Sequence, residues 1–134
     1  MANWLFKEEP EHYSFADLEK DGSTTWEGVS NPVALKNLRQ VKKGDRVFYY
    51  HTGREKAIVG EMVVVSAASP DAKDTSKASP LTVSPVKRLS QPVTLKAIKA
   101  DKAFADWDLV RNSRLSVMPV TDAQWQRVEQ MSKG

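Results

Sequence analysis

Cysteine is absent from the 134-residue sequence, which excludes disulfide bonds, thiolate zinc sites, iron–sulfur clusters and cysteine nucleophiles. Long apolar segments are also missing: the longest strongly apolar run, Met62–Val65, is flanked by Glu61 and Ser66. A helix that spans a bilayer needs about 20 apolar residues. The first residues combine no basic segment with an apolar one, so we expect no signal peptide. These absences predict a cytoplasmic protein without a membrane partner.

Motifs for catalysis and for metal binding are missing as well. The two histidines, His12 and His51, do not stand at metal-ligand spacing, and the six glycines form no P-loop, dinucleotide-binding motif or nucleophile elbow. Glu8 and Glu9 are adjacent and would point to opposite faces of a strand, which is poor geometry for a paired acid and base. We therefore predict no metal, no cofactor and no catalytic residues.

The composition is that of a globular protein, with 40% hydrophobic and 28% charged residues. A chain of this length is typical of one domain, so we predict a single domain over residues 1–134 and assume a monomer. Apolar, β-branched and capping signals predict an α+β fold, in which five to six strands form a small closed or nearly closed β-barrel with short peripheral helices. The predicted strands are Asn3–Lys7, Arg46–His51, Ala57–Ser66, Leu81–Leu89 and Leu115–Met118. The predicted helices follow Ser14, Asn31 and Thr121 and cover Thr94–Lys99 and Lys102–Trp107.

Several local features are expected within this framework. Gly60 lies inside a predicted strand, which indicates a bulge or a close backbone approach. Proline should bend one strand at Pro85 and end another at Pro119. Residues 67–80 are predicted to form a long loop. The apolar side of the second helix is predicted to consist of Val33, Leu35 and Leu38.

Charge is unevenly distributed along the chain, although the net charge is only +3. Residues 1–31 carry a net charge of −5, whereas residues 36–56 carry +5 and residues 87–114 carry +4. A basic face can neutralise phosphates and release their counterions. A solvated surface of mixed charge accounts for the same distribution.

Two aromatic positions have alternative interpretations. Trp26 precedes Gly28 and Asn31, and an indole beside an amide side chain suits the stacking and edge recognition of a planar base. Alternatively, Trp26 closes the end of the barrel. His51 ends an aromatic strand, where it is either a donor in a pocket or a histidine satisfied by its neighbours. Trp4 and Trp125 are predicted core residues.

The segment from Arg111 to Ser116 is rich in polar side chains. Its arginines could bind phosphate or stack on bases, and its serine hydroxyls can donate or accept hydrogen bonds. Alternatively, the arginines cap helix carbonyls or pair with the acidic N-terminal segment.

An ordered set of motifs along the whole chain resembles the EVE domain. It includes Trp4-Leu-Phe-Lys-Glu-Glu-Pro10, Trp26-Glu-Gly-Val29, Phe48-Tyr-Tyr-His51, Pro92-Val-Thr-Leu95 and Leu109-Val-Arg111 followed by Ser113 to Val120. The resemblance implies a PUA-like β-barrel and non-catalytic binding of a modified base in DNA or RNA.

By position, the resemblance implies a base pocket lined by Lys7, Glu8, Trp26, Asn31, Tyr50, His51, Ser113, Arg114, Leu115 and Ser116. Basic residues of the two positive segments are candidates for contacts with the nucleic-acid backbone: Lys36, Arg39, Lys42, Arg54 and Arg111.

Two alternative functions remain open. Ser30 and Pro32 stand where the family usually has Arg and Tyr, and the missing Arg favours binding of a small nucleotide-like metabolite without a polymer. Lys7 and Glu8 at the mouth of the expected pocket, together with catalysis in related PUA-like ASCH domains, suggest a hydrolase that acts on a modified nucleoside.

Overall fold

The computed structural model describes residues 2–26, 31–67, 81–112 and 114–133. Within these ranges the strands are β1 (Asn3–Glu8), β2 (Thr24–Trp26), β3 (Arg46–His51), β4 (Ala57–Ala67), β5 (Leu81–Thr94) and β6 (Val117–Val120). The helices are α1 (Phe15–Asp21), α2 (Pro32–Gln40), α3 (Leu95–Ala100), α4 (Asp108–Arg111) and α5 (Asp122–Ser132), with a 3-10 helix over Lys102–Phe104.

The six strands form one curled sheet, a half-barrel, in the order β2-β5-β4-β3-β1-β6. Strands β1 and β3 are parallel, and the other neighbouring strands are antiparallel. The segment between β1 and β3 contains α1, β2 and α2, which supplies the crossover that a parallel pair needs. The predicted α+β class and number of strands are confirmed.

The parallel pairing brings the ends of β1 and β3 together. Glu8 lies opposite His51 in the register, and the Thr52 amide donates to the Glu8 carbonyl oxygen at 3.0 Å. We call the end of the sheet at which β1 and β3 finish its carboxyl end. The opposite end, at which both strands begin with Asn3 and Arg46, is the amino end.

Aromatic residues fill the core on both faces of the sheet. Trp4 and Trp125 are buried, as predicted. The Trp4 indole N–H donates to the buried Asp45 carboxylate at 2.9 Å, and Trp125 stacks on Phe48 with 3.7 Å between ring centroids. Gly60 permits the predicted close approach, because a Cβ there would lie 2.4 Å from the ring of Phe15.

Capping signals in the sequence identify the helix starts correctly. The capping boxes at Ser14 and Thr121 are both present, and the Asn31 carboxamide oxygen accepts from two amides in the first turn of α2. The buried side of helix α2 nevertheless differs from the predicted one. Val33 is 50% exposed, and Ala34 takes the buried position beside Leu38.

The prolines interrupt the sheet less than expected. Strand β5 continues through Pro85, where its register with β4 shifts. Strand β6 includes Pro119, which is tolerated because β6 is an edge strand.

Other predicted boundaries also differ. Strand β2 and helix α4 were not predicted, and the helix expected over Lys102–Trp107 is a 3-10 turn that ends at Phe104. Most of the predicted loop, residues 68–80, lies outside the described residues. In the described part of the chain, no helix is both long and apolar enough to cross a bilayer.

Candidate functional site

A cavity of about 210 Å³ opens at the carboxyl end of the sheet. Strand β1 contributes Glu8, and the other lining residues come from the turn before α1 and from β2. The lining consists of Glu8, His12, Tyr13, Thr24, Thr25 and Trp26. Two of the predicted pocket residues, Glu8 and Trp26, therefore lie together at this cavity.

Trp26 lies at the boundary between the core and the cavity, and its stacking on a base stays a prediction. It is only 6% exposed, and its ring packs on Phe6 at 5.2 Å and edge-on against Tyr49 at 5.5 Å. It belongs to the core, and it also forms part of the cavity wall. Because its neighbours hold the ring, the indole is positioned before any ligand arrives.

Glu8 supplies the negative charge of the cavity. One carboxylate oxygen accepts from the Glu9 amide at 2.9 Å and lies 3.2 Å from Nδ1 of His12. The side chain is 23% exposed. A carboxylate has about four acceptor positions, so capacity remains for a ligand donor.

His51 has a structural role in this arrangement. Its Nε2 accepts from the Phe15 amide at 3.0 Å, and its Nδ1 lies 3.2 Å from the Glu55 carboxylate. Because Nε2 accepts, the proton sits on Nδ1 and is donated to Glu55. The ring is 6% exposed and has both nitrogens engaged. This geometry favours the interpretation of a satisfied histidine, which provides an acceptor for the first turn of α1.

Lys7 and Tyr50 lie on the other face of the sheet from Glu8. Neighbouring residues of a strand point to opposite faces, and the Lys7 ammonium lies 5.5 Å from the Tyr50 ring centroid. Burial lowers the pKa of Lys7 and raises the pKa of Tyr50 to about 12. The predicted pocket residues in β1, β2 and β3 thus separate into two groups, one on each face.

The segment after α4 lies beside the second of these groups. The Lys7 amide donates to the Ser116 carbonyl oxygen at 2.9 Å, which extends the pairing of β1 with β6. Leu115 is buried, Ser116 is half-buried and Arg114 is exposed. Ser113 lies outside the described residues, as do residues 27–30. The oxygen of Asn31 is already engaged in capping α2.

The five candidate phosphate-binding residues are distributed over several elements of the fold. Lys42 precedes β3 at the amino end, whereas Arg54 follows β3 at the carboxyl end. At about 3.3 Å per residue, the six-residue strand separates them by roughly 17 Å or more. Lys36 and Arg39 are exposed on α2. Arg111 lies 3.9 Å from the exposed Asp106 carboxylate.

Sequence reasoning missed most of the cavity lining. Tyr13 donates its hydroxyl proton to Asp21 at 2.8 Å, and burial, followed by this bond, raises the pKa of Tyr13. The Tyr13 carbonyl oxygen accepts from the Tyr49 hydroxyl. The β-branched pair Thr24-Thr25 before Trp26 is a strand signal that could have revealed β2. Among the described residues, no group of three or more acidic or histidine side chains could hold a metal ion.

Comparisons with known proteins match this architecture. The family model described as EVE domain matches residues 2–131. The chain is 30% identical to thymocyte nuclear protein 1 of Gallus gallus over 92% of its own length, and it spans 66% of the length of that relative.

Solved structures agree with the same fold. An NMR structure of a protein from Rhodopseudomonas palustris superimposes with a TM-score of 0.89 at 36% identity, covering 99% of this chain and 94% of the other. Human THYN1 in complex with DNA that contains 5-methylcytosine matches with a TM-score of 0.87 at 26% identity, covering 100% and 99%. Because the family model covers nearly the whole chain, this protein belongs to the EVE domain family.

Proposed function

We propose that this chain binds a modified base in DNA without catalysing a reaction, and that 5-methylcytosine is the first base to test. The observation that carries the proposal is the cavity between Glu8 and Trp26 at the carboxyl end of the sheet. The complex of human THYN1 with DNA containing 5-methylcytosine supports the choice of ligand. RNA binding, the cytoplasmic location and a single domain over residues 1–134 stay predictions.

The chemistry of the lining suits cytosine. A carboxylate can accept a hydrogen bond from the exocyclic amine of cytosine, which thymine lacks. Glu8 is the acidic residue of the lining. An apolar surface favours contact with a methyl group, and the ring of Trp26 provides such a surface at the same cavity. The hydroxyls of Thr24 and Thr25 can donate or accept.

A base in the middle of a duplex cannot enter such a cavity. Proteins that enclose a base turn it out of the helix, at a cost of a few kcal/mol for unstacking and unpairing. We therefore expect tighter binding when the modified base is unpaired or mismatched than when it is paired.

The decisive experiment compares three bases at one position of an otherwise identical oligonucleotide: 5-methylcytosine, cytosine and thymine. Fluorescence anisotropy gives each affinity. The pair 5-methylcytosine and cytosine reports on the methyl group, and the pair 5-methylcytosine and thymine reports on the amine. We expect a preference for 5-methylcytosine in both pairs.

A Glu8→Gln variant should reduce the discrimination between 5-methylcytosine and thymine by about tenfold, because it replaces a charged acceptor by an amide. Glu11→Gln is the matched control, since Glu11 is exposed in the same turn and does not line the cavity. Equal affinity of the wild type for all three bases, or unchanged discrimination in Glu8→Gln, would contradict the proposal.

The hydrolase alternative has less support. It requires Lys7 and Glu8 to act together, and their side chains project to opposite faces of β1. No contact of the described residues specifically favours a small metabolite over a polymer.

A further inference from the structure

A second and larger cavity, of about 480 Å³, lies beside the loop between β3 and β4. Four of its seven lining residues are cationic and one is acidic. We call it the basic groove, and it is lined by Arg54, Glu55, Lys56, Thr94, Leu95, Lys96 and Lys99. All four cationic residues are exposed.

The single carboxylate of the basic groove is partly engaged elsewhere. Both oxygens of Glu55 lie 3.2–3.3 Å from Nδ1 of the buried His51. Within the ranges that the structure describes, the ion pairs involve none of the four cationic side chains of the groove. Their positive charge is therefore directed to solvent.

Backbone contacts set the shape of the basic groove, so the cations are not needed to hold it together. The Leu95 amide donates to the Lys56 carbonyl oxygen at 2.7 Å, and Thr94 pairs with Ala57 between β5 and β4. Lys96 and Lys99 are three residues apart on α3, which places them on neighbouring positions of one helix face.

The basic groove lies at the same end of the sheet as the cavity that contains Trp26. The Thr52 amide donates to the carbonyl oxygen of Glu8, which lines that cavity, and Arg54 is only two residues further along the loop. The first 31 residues, which supply the lining of that cavity, carry a net charge of −5. DNA that approaches this end therefore needs a compensating positive surface nearby.

We propose that the basic groove binds phosphates of the nucleic-acid backbone next to the base that enters the cavity. This inference rests on the proposed function. Contacts to phosphate supply affinity and orientation without reading sequence, whereas contacts to base edges supply discrimination. The groove then sets affinity and salt dependence, and the cavity sets base preference.

The test uses the full chain with both lysines of α3 neutralised, Lys96→Gln together with Lys99→Gln. Binding to oligonucleotides with 5-methylcytosine or cytosine is measured between 50 and 200 mM KCl. Each lysine that contacts a phosphate contributes about one to the slope of log affinity against log salt. We expect about tenfold weaker binding to both oligonucleotides, a slope reduced by about one to two, and an unchanged ratio between the two affinities.

Lys43→Gln together with Lys133→Gln is the matched control. It removes the same charge from two exposed lysines away from the groove, one in the turn before β3 at the amino end of the sheet and one directly after α5. We expect this variant to lose less than twofold in affinity. Equal losses in the two double variants would overturn the inference, because the effect would then follow net charge alone.

A free phosphate offers the same chemistry as the backbone and is tested by competition. Sodium phosphate and KCl are compared at equal ionic strength as competitors of the bound oligonucleotide. A backbone site gains its affinity from several phosphates of one strand, so it predicts only slightly stronger displacement by phosphate than by KCl. Displacement by phosphate at ionic strengths at which KCl displaces nothing, lost in the Lys96/Lys99 variant, would identify a free-phosphate site and overturn the inference.

Failure of the inference differs from failure of the proposed function. If the wild type prefers 5-methylcytosine and the Lys96/Lys99 variant keeps its affinity and slope, only the groove assignment is wrong. If the wild type binds no oligonucleotide at 50 mM KCl, the proposed function is wrong as well.

Discussion

The two faces of the sheet both bury aromatic rings but pack them differently, and the first face borders the cavity that contains Trp26. On the first face, Phe6, Trp26 and Tyr49 meet at tilted or edge-on angles with centroids 5.2–5.5 Å apart. On the second face, Phe48 and Trp125 stack almost in parallel at 3.7 Å. The difference lies in what covers each face. Helix α5 carries Trp125 onto the second face.

Polar groups follow the same division. On the first face, His51 has both ring nitrogens engaged, and Trp26 borders a cavity. On the second face, the buried indole N–H of Trp125 has no hydrogen bond among the described residues, and one oxygen of the buried Glu61 carboxylate lies 3.4 Å from the Lys87 ammonium. The second face therefore supports the fold, and the first face combines packing with an open cavity. Composition alone does not separate the two, because both are built from large aromatic residues.

The largest expected effect is on stability, from Trp125→Ala. Trp125 is fully buried and stacks on Phe48, while the Arg46 guanidinium lies 4.5 Å from its ring centroid. Truncation leaves a large cavity, and we expect the free energy of unfolding to fall by about 3–5 kcal/mol. Urea denaturation measures the change. Base preference, measured where the variant is still folded, should not change, and a lost preference would contradict the functional separation of the two faces.

The next effect concerns pH on the second face. Burial raises the pKa of Glu61 from its ordinary 4.5 to about 7, and the nearby Glu129 raises it further than Lys87 lowers it. The unfolded chain therefore releases this proton at lower pH than the folded protein does. The stability that the protonated group provides is complete below about pH 4.5 and is lost as the pH rises through about 7.

Glu61→Gln replaces the titrating carboxyl group by an amide and should flatten the dependence of the free energy of unfolding on pH. A pKa shift of this size corresponds to a difference on the order of 3 kcal/mol, so the variant should lose less stability than the wild type between pH 4.5 and 7. Chemical denaturation at several pH values measures the slope. Glu11→Gln is the control, since Glu11 is exposed. Parallel stability curves for wild type and Glu61→Gln would show that folding does not raise the pKa of Glu61.

Much of the fold follows from local signals. Capping residues such as Ser14, Asn31 and Thr121 identify helix starts because a helix must satisfy its first amides. Strands β1 and β3 are apolar enough to be recognised directly. Strand β2 was not predicted because it has only three residues: the Thr24-Thr25 pair is a very short local signal, and the pairing with β5 is a long-range contact.

The candidate site is less accessible to sequence reasoning. The motifs place Lys7 next to Glu8 and Tyr50 next to His51. Neighbouring residues of a strand point to opposite faces of the sheet, and the sequence does not tell which face borders the cavity. The two alternatives for His51 differ only in its partner, and that partner, the Phe15 amide, lies 36 residues away in the chain. His12 and Tyr13 reach the cavity because the turn after β1 folds back beside Glu8.

Of the three stability effects, we expect the smallest for Trp26→Phe, which should mainly change the base preference. Phenylalanine keeps an aromatic ring against Phe6 and Tyr49, so we expect the free energy of unfolding to fall by about 1–2 kcal/mol. The smaller ring reduces contact with a base and its methyl group. We therefore expect the preference for 5-methylcytosine over cytosine to fall about three- to tenfold, as measured by anisotropy.

Trp107→Phe provides the matched control for this substitution. Trp107 is also buried, but it packs on Phe104 and donates to the Pro119 carbonyl oxygen at 3.3 Å, outside the cavity that contains Trp26. It should lose a similar amount of stability and keep the base preference. If both variants lose preference equally, the effect comes from general loosening of the fold. If Trp26→Phe alone loses preference while Trp125→Ala retains it, the first face carries recognition and the second face carries stability.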